Sequence, residues 1–412
     1  MKIFILENQN TNRWFIAVMA TLTHLFLGTV YAWSFFQKPI SETYQWTQSE
    51  TAWAFSIAIF MLGITAAWCG GKIEKFGVKK LAVTGTVLYA LGYIISYFAL
   101  RYQLLFLLYF GFGIVGGIGL GMAYVTPVAA VSGWFPDKQG LVTGMVVMGF
   151  GLGAFVMSKI LAPLFINLFN GNLEDVFLSI GILLLFIHPL TAFFLKSKPV
   201  EKSFKITENQ NITAVISKPD YIFIWLIFTF NIIAGMIFIS FQSPLLQDIL
   251  KTEGINETLT LEQKGATLIG VSALFNGVGR FFWGSVSDKI GRIPTFRILL
   301  IIEILVFLML IFTKNSLIFS VGVCLVLLCY GGGFGVIPSL IKERYGAKLM
   351  ASIYGITLIG WGVGGIFGPQ ITAYMKDHFP ENAGVNSFYI GLGLLVVGLL
   401  MSILIKKKTV TD

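Results

Sequence analysis

Two short segments decide the fold of this chain: GGKIEKFGVKK at residues 70–80 and GSVSDKIGRIP at residues 284–294. Each has a glycine, an acid four residues later, a base directly after the acid, and a second glycine two residues further on. The matching positions lie 214 residues apart: Gly70 and Gly284, Glu74 and Asp288, Gly77 and Gly291. A second pair of segments, GFGLGAF from residue 149 and GWGVGGI from residue 360, repeats with an offset of 211. The chain is therefore predicted to consist of two halves related by a parallel repeat.

The composition places both halves in a membrane. Of the 412 residues, 56% are hydrophobic and 12% are charged, and the mean hydropathy is +0.81. A soluble globule has too little interior for so many apolar side chains. Twelve apolar runs have the length, about 20 residues, that crosses a hydrocarbon core roughly 30 Å thick. They cover residues 14–36, 51–69, 81–100, 104–130, 140–163, 176–195, 220–247, 266–286, 296–313, 317–340, 350–374 and 386–405. Runs this long favour helices over barrel strands, so we predict an all-α polytopic membrane protein with 12 transmembrane helices in two six-helix bundles.

The basic residues orient the chain in the membrane. With both termini in the cytoplasm, 21 lysines and arginines fall in cytoplasmic segments and 6 in outer segments. This excess is what the positive-inside rule requires. It also accounts for the net charge of +9, so a nucleic-acid partner is not needed. We expect a monomer in the cell (inner) membrane, with the lipid bilayer and a small solute as its partners.

A polar, basic stretch separates the halves. Residues 196–219 are predicted to be a cytoplasmic linker between an N-terminal bundle, residues 1–195, and a C-terminal bundle, residues 220–412. The repeated loops that flank the second and eighth spans hold Glu74, Lys75, Asp288, Lys289 and Arg292. Two roles fit these groups: a clasp that engages neighbouring helix ends in one conformational state and releases them in another, or positive charge that sets the topology.

One charge is not repeated. Arg280 lies in LFNGVGRFFWGSV, residues 274–286, and the offset of 214 takes it to Ala66. A charge inside the membrane costs about 2.5–3.5 kcal/mol, and arginine does not escape this cost by losing its proton. One interpretation is a permanent ion pair, for which Glu303, near the cytoplasmic end of the ninth span, is the candidate. The other is a binding site for an anionic substrate.

The surroundings of Arg280 suit a carboxylate. Asn276 lies one turn earlier on the same helix face, and Gly277 and Gly279 allow other groups to approach closely. A bidentate guanidinium beside a neutral hydrogen-bonding side chain matches the shape of a carboxylate. Aromatic residues in the first, fourth and tenth spans are predicted to wall this site, although each alone is also typical of core packing. They are Tyr31, Trp33, Tyr124, Tyr330 and Phe334.

These motifs carry two resemblances. Twelve spans in a 6+6 repeat, with the loop pattern after the second and eighth, resemble the major facilitator superfamily along the whole chain. YAWSFF at 31–36, YVTP at 124–127, NGVGR at 276–280 and IPS at 337–339 resemble the oxalate/formate antiporter family, which is related to the monocarboxylate transporters. The resemblance implies a secondary transporter, without cofactor, in which Arg280 anchors a carboxylate.

Two positions depart from the family pattern. Trp361, which is also predicted to line the substrate site, stands where the oxalate exchanger has a second cation, and Asn276 stands where animal carriers have an aspartate. A single cation favours a small monocarboxylate of the lactate, pyruvate or formate type, moved by alternating access together with a proton. His24 and Glu303 are the candidates for carrying that proton, with a hydrogen-bonded structural role as the alternative for His24.

Three other functions are alternatives to proton-coupled transport of a monocarboxylate. An oxalate/formate-type anion exchanger is the alternative within transport, and a transceptor that binds the anion and signals without flux is the alternative from another class. An enzyme would need a nucleophile with its base, paired aspartates or clustered metal ligands within the membrane. The sequence has no such constellation, and Cys69, Cys324 and Cys329 lack metal-ligand spacing. We therefore expect neither catalysis nor a metal.

Overall fold

The computed structural model describes residues 12–135, 139–197 and 212–405, without side-chain positions at 74, 132, 139–141, 347, 348 and 351. Within these residues, a helix occupies each of the twelve predicted spans, and there are no strands. We number the helices by span: α1 Arg13–Tyr44, α2 Gln48–Gly70, α3 Val78–Arg101, α4 Leu105–Val131, α5 Val142–Leu168, α6 Leu173–Phe193, α7 Pro219–Thr252, α8 Thr258–Ile290, α9 Arg292–Phe312, α10 Ser316–Gly346, α11 Ile359–His378 and α12 Pro380–Leu404. A helical segment of residues 347–357 leads from the kink at Gly346 to α11.

Ten of these helices, among the residues described, are long and apolar enough to cross a membrane, and α8 and α11 are the two that fall short. The helix α8 contains Asn276 and Arg280, and α11 contains five glycines and Gln370. Glycine and polar side chains lower the hydropathy of a span without preventing its burial among other helices. In both helices the glycines and most polar side chains of the middle turns are buried, while large apolar residues such as Phe275, Phe282 and Phe367 are exposed on the other face.

The repeat seen in the sequence is also present in the backbone. Gly77, before α3, has φ 78° and ψ 148°, and its repeat partner Gly291, before α9, has φ 91° and ψ 155°. A side chain is strained at such positive φ values, whereas glycine is not. Both repeated loops therefore turn in the same way. We call the side of the bundle that holds these two loops the motif face, and the other side the opposite face.

Glycines bring the two halves into close contact along two matching seams. The helix α2 packs on α11, where a Cβ at Gly63 would lie 3.0 Å from the nitrogen of Gly362. The helix α5 packs on α8, where a Cβ at Gly151 would lie 2.7 Å from the Cα of Gly277. The offsets of 214 and 211 relate Gly63 to Gly277 and Gly151 to Gly362. The two seams are thus the same contact, made twice by the repeat.

Hydrogen bonds close the bundle on the opposite face. The Asp377 carboxylate accepts from the backbone N–H groups of Gln48 and Ser49, at 2.9 Å each, in the first turn of α2. Lys38 donates to Gln247 at 2.8 Å, which joins α1 to α7. All three bonds run between the first six helices and the last six. The two halves are therefore held together on this side.

A candidate anion site

The centre of the site is the guanidinium of Arg280. This side chain is only 1% exposed, and its Nε donates to Asn276 Oδ1 at 3.3 Å. Neither Nη1 nor Nη2 has a hydrogen-bond partner among the described residues. No carboxylate of the described residues forms an ion pair with Arg280. The two terminal nitrogens, the pair that binds a carboxylate in bidentate fashion, are therefore available.

Glycines in α10 let this helix lie directly against α8. A Cβ at Gly335 would overlap the Arg280 carbonyl oxygen, and one at Gly331 would overlap the Asn276 carbonyl oxygen. Gly279 of α8, which the sequence predicted to allow close approach, acts in the same way, because a Cβ there would overlap the backbone of Leu328. Close backbone contact of this kind fixes the position of Arg280 relative to the aromatic residues of α10.

Aromatic rings surround the guanidinium. Its Cζ lies 4.6 Å from the ring centre of Phe334 on α10 and 5.6 Å from that of Phe150 on α5. Phe334 packs on Trp361 at 4.8 Å, and Trp361 packs on Phe150 at 5.5 Å. A cation gains from facing aromatic rings at these distances, most strongly where water is excluded. The rings therefore stabilise the charge partly and leave its hydrogen-bonding groups open.

Three tyrosines complete the box. Tyr31 of α1 and Tyr330 of α10 share a hydrogen bond between their hydroxyl groups, across the two halves. The ring of Tyr124 lies 4.9 Å from Trp361. The Tyr124 hydroxyl and the Trp361 Nε1 have no hydrogen-bond partner among the described groups. Two neutral polar groups thus accompany the open nitrogens of Arg280, and both are able to donate to an anion.

A cavity of about 650 Å³ leads from Arg280 to the motif face. Its walls come from α4, α5, α8, α10 and the segment before α11, and its outer rim includes Asp288, Arg292 and Glu343. The side chains of Asp288 and Glu343 are 65% and 62% exposed. With hydrogen bonds on the opposite face and a cavity on the motif face, the site is accessible from one side of the membrane.

His24 lies behind the box rather than in it. Its ring stacks on Tyr124 at 4.8 Å, and its Nε2 lies 2.8 Å from the Tyr124 carbonyl oxygen. The residue is fully buried, and its Nδ1 has no partner among the described residues. His24 therefore contacts the site through Tyr124.

Two predicted residues do not join the box. Trp33 packs on Phe112 at 4.6 Å and donates to Gln37, away from Arg280. Glu303 lies at mid-length of α9, Arg292–Phe312, and not near its cytoplasmic end as predicted, and its Oε1 accepts from Asn231 at 2.8 Å. Glu303 is therefore not the counterion of Arg280, and the ion-pair interpretation is wrong.

The gating loops are described in part. Arg292 pairs with Asp288 and lies 3.7 Å from Glu343 at the end of α10, so the C-terminal loop forms a charge cluster at the cavity rim. Lys289 is exposed, and the Lys75 Nζ lies 5.4 Å from the ring centre of Phe76. The side chain of Glu74 lies outside the described residues.

The sequence reasoning missed Phe150 and Tyr354. Phe150 contacts Arg280 and Trp361, and Tyr354 lines the cavity. A signal for Phe150 was present, because the offset of 211 takes it to Trp361. The second repeated segment therefore supplies two facing walls of one box. For Tyr354 we find no comparable signal.

These features define a membrane transporter: two repeated halves of six helices, seams between them, and a buried cation at the end of a cavity that is open on one side. The chain belongs to the Major Facilitator Superfamily, which it matches over residues 14–369. The family and its relatives are transporters, which points away from an enzyme.

Three relatives are similar in sequence to this chain over most of its length. The chain is 25% identical over 375 residues to an uncharacterised MFS-type transporter, YhjX, of Escherichia coli (strain K12), with 87% of each chain covered. It is 24% identical over 378 residues to the oxalate:formate antiporter of Oxalobacter formigenes, covering 90% of this chain and 87% of that one. It is 24% identical over 426 residues to apicoplast pyruvate carrier 1 of Toxoplasma gondii, covering 86% and 74%. The resemblance inferred from the motifs is thereby confirmed.

A solved structure shares the fold. A bacterial homologue of the human lysosomal transporter Spinster, in an inward-facing and unoccupied conformation, superposes with a TM-score of 0.70 at 15% identity. The match covers 97% of this chain and 98% of that one.

Proposed function

We propose that this protein transports a small monocarboxylate, of the lactate, pyruvate or formate type, with Arg280 as the group that binds the carboxylate. The observation that carries the proposal is the state of the guanidinium, which is buried with Nη1 and Nη2 unpartnered among the described residues. Leaving a buried charged donor unsatisfied costs more than leaving a neutral one. A bound carboxylate supplies both the charge and the two acceptors.

The number of cations supports a monocarboxylate. Trp361 packs on Tyr124, Phe150 and Phe334 and brings no charge to the box. A second carboxylate in this box would lose its hydration and find no second cation to pair with. This desolvation costs several kcal/mol. The oxalate:formate antiporter and the pyruvate carrier among the relatives act on small carboxylates. An oxalate/formate-type exchange remains the alternative that the experiment must separate.

The transport cycle follows from the charge. An anion that enters from the motif face neutralises Arg280, and the neutral box is easier to occlude than the charged one. The Tyr31–Tyr330 bond and the contacts of Asp377 then break, the opposite face opens, and the charge cluster of Arg292 rearranges. We assign the motif face to the cytoplasm, by the distribution of lysine and arginine.

A proton completes the proposed cycle. Symport of one proton with one monocarboxylate moves no net charge across the membrane, which suits a site with a single cation. His24 contacts the box through Tyr124, and Glu303 contacts it through α10, so both remain candidates for the proton.

Counterflow in proteoliposomes tests the function. Labelled lactate, pyruvate, formate, acetate and oxalate are offered to vesicles loaded with the same unlabelled acid, with and without a proton gradient. We expect exchange of one or more monocarboxylates but little of oxalate, and faster uptake when the outside is acidic. Equal or greater exchange of oxalate supports the exchanger, and no exchange of any acid refutes carboxylate transport.

Variants of Arg280 link this activity to the site. Arg280→Ala is expected to abolish uptake, and Arg280→Lys, which keeps the charge but loses the two-pronged donor, to raise KM at least about ten-fold. Arg101→Ala is the matched control, because that arginine is 54% exposed. The substrate should raise the melting temperature of the wild type and of the control only. Full transport by a folded Arg280→Ala protein contradicts the proposal.

A further inference from the structure

The C-terminal half contains a buried carboxyl group that lies outside the anion box. Glu303 is 0% exposed at mid-length of α9 and does not line the cavity that reaches Arg280. Its Oε1 accepts from Asn231 Nδ2 of α7 at 2.8 Å. Its Oε2 has no hydrogen-bond partner among the described residues, nor does Asn231 Oδ1. This pair of side chains, Glu303 and Asn231, has two acceptors without a donor.

No cation faces this carboxyl group from the described helices around it. The helix α10 presents the thiol of Cys329 and α7 presents Asn231, while residues 383–404 of α12 contain no charged side chain. On α8, Asp288 and Lys289 lie in the last turn, and Arg280 contacts Asn276 and Phe334 and forms no ion pair with Glu303 among the described groups. On α9 itself, Arg297 lies six residues earlier, about 9 Å along the axis, and donates to the carbonyl of Ser402.

The protonated acid fits these surroundings better than the carboxylate. An ionised carboxylate is strongly disfavoured in a dry interior without a cation, and the usual outcome is uptake of a proton. A proton on Oε2 also turns one unpaired acceptor into a donor. The asparagine amide keeps its bond to Oε1 in either form, so it positions the acid without neutralising it.

The helix α10 joins this acid to the anion box. A Cβ at Gly333 would overlap Asn231 Oδ1, so the amide presses directly on the α10 backbone. The next residue, Phe334, faces the guanidinium of Arg280. Tyr330, three residues before Gly333, holds the hydrogen bond to Tyr31 across the two halves. Gly333 meets the amide, Phe334 faces the guanidinium and Tyr330 joins the halves, so all three contacts fall within about one turn of α10.

We propose that Glu303 and Asn231 form the proton-binding site of this transporter, and that α10 couples this site to the anion on Arg280. This inference rests on the proposed function, since it concerns the ion that accompanies the carboxylate. One proton bound at Glu303 and one monocarboxylate bound at Arg280 leave both sites neutral. Release of the proton places a negative charge against Asn231 and α10, which disfavours the closed packing until a proton returns.

Glu303→Gln tests the proposal, because glutamine has the shape of the protonated acid and does not exchange a proton. The protein is reconstituted with a pH-sensitive dye in the lumen, and L-lactate is the probe, or formate if the wild type does not exchange lactate. We expect counterflow of the labelled acid to stay within about three-fold of wild type. Acidification of the lumen on addition of the acid should fall to the level of protein-free vesicles. Glu262→Gln, at an exposed position of α8, is the matched control.

The outcomes separate this proposal from the proposed function. Acid-driven proton entry in Glu303→Gln at the wild-type rate overturns the proton site. So does a wild type that exchanges monocarboxylates without moving protons, although Arg280 then keeps its role. If the wild type exchanges none of the acids, the proposed function fails and the coupling fails with it.

A second variant covers the case in which Glu303→Gln does not fold. Asn231→Ala removes the amide donor that favours the ionised carboxylate, and the acid itself stays. The proton should then bind more tightly, and the pH of half-maximal uptake should rise. An unchanged pH profile in folded Asn231→Ala overturns the proposal.

Discussion

Asp377 offers the sharpest test of how the two halves close against each other. Its carboxylate, on α11, accepts from the backbone N–H groups of Gln48 and Ser49 at the start of α2. A carboxylate at a helix N-terminus meets free N–H groups and the positive end of the helix dipole. This contact exists only while the opposite face is closed. We therefore predict that Asp377→Asn shifts the protein toward the state that is open on that side.

The size of the shift follows from the geometry. Hydrogen bonds to charged groups contribute about 1.5–3 kcal/mol, and a charge at a helix terminus adds about 0.3–1 kcal/mol. Asparagine keeps one acceptor oxygen, so the substitution removes one of the two bonds together with the charge. Because the site is partly exposed, solvent screening reduces the loss. We expect about 1.5 kcal/mol, which is roughly a ten-fold change in the equilibrium between the two states.

Distance measurements between the halves give the readout. Spin labels at Tyr102→Cys, after α3, and Lys314→Cys, after α9, report the separation of the two halves on the opposite face. The wild type should show mainly the short distance, and Asp377→Asn should show a larger population at the long one. Glu381→Gln is the matched control, since this exposed acid lies four residues away on the same side. An unchanged distance distribution in Asp377→Asn would refute the assignment of this contact as a closure of the opposite face.

Three further predictions concern the anion site. Asn276→Ala removes the acceptor of Arg280 Nε, and KM for the transported acid should rise about three- to ten-fold with little change in kcat; a lower kcat at constant KM contradicts a positioning role. Gly335→Ala places a Cβ against the Arg280 carbonyl, and thermal unfolding should show a loss of about 1–3 kcal/mol. A melting temperature equal to that of the wild type contradicts the prediction, because it means that α8 and α10 move apart to accept the Cβ without loss of stability. Phe150→Leu removes one ring that faces the guanidinium and should weaken binding a few-fold, whereas unchanged or tighter binding in calorimetry argues against stabilisation of the guanidinium by this ring.

The architecture could be predicted because its signals are local. Span length, the charge of the loops and the repeated glycines each depend on a few neighbouring residues. The spacing of Gly77 and Gly291 predicted matching loops, and both take the same positive φ. The helix α9 starts four residues before the predicted span, because Arg292, Ile293 and Pro294 belong to its first turn. Proline is tolerated in the first turn of a helix, so Pro294 does not delay the start of α9.

The composition of the box was harder to predict, because the direction of a side chain depends on local geometry. Tyr31 and Trp33 are two residues apart, and a helix turns about 100° per residue, so they point to nearly opposite sides. The structure turns Tyr31 to Tyr330 and Trp33 to Phe112. A sequence pattern that names both residues therefore includes one that lies outside the site. Tyr31 lies in a short 3-10 segment, Gly28–Ala32, for which we recognise no sequence signal.

The repeat explains why one charge is enough for this site. Phe150 and Trp361 occupy matching positions in α5 and α11, one from each half, and their rings meet in the centre. The repeat thus provides two facing aromatic walls without any charged group of its own. Arg280, which has Ala66 as its repeat partner, places charge in only one half. The N-terminal half contributes neutral side chains to the box among the described residues, and its cation on this seam, Lys159 of α5, bonds instead to Thr267, more than three helical turns from Arg280 along α8. The two halves are then free to separate on either side while the anion stays with α8.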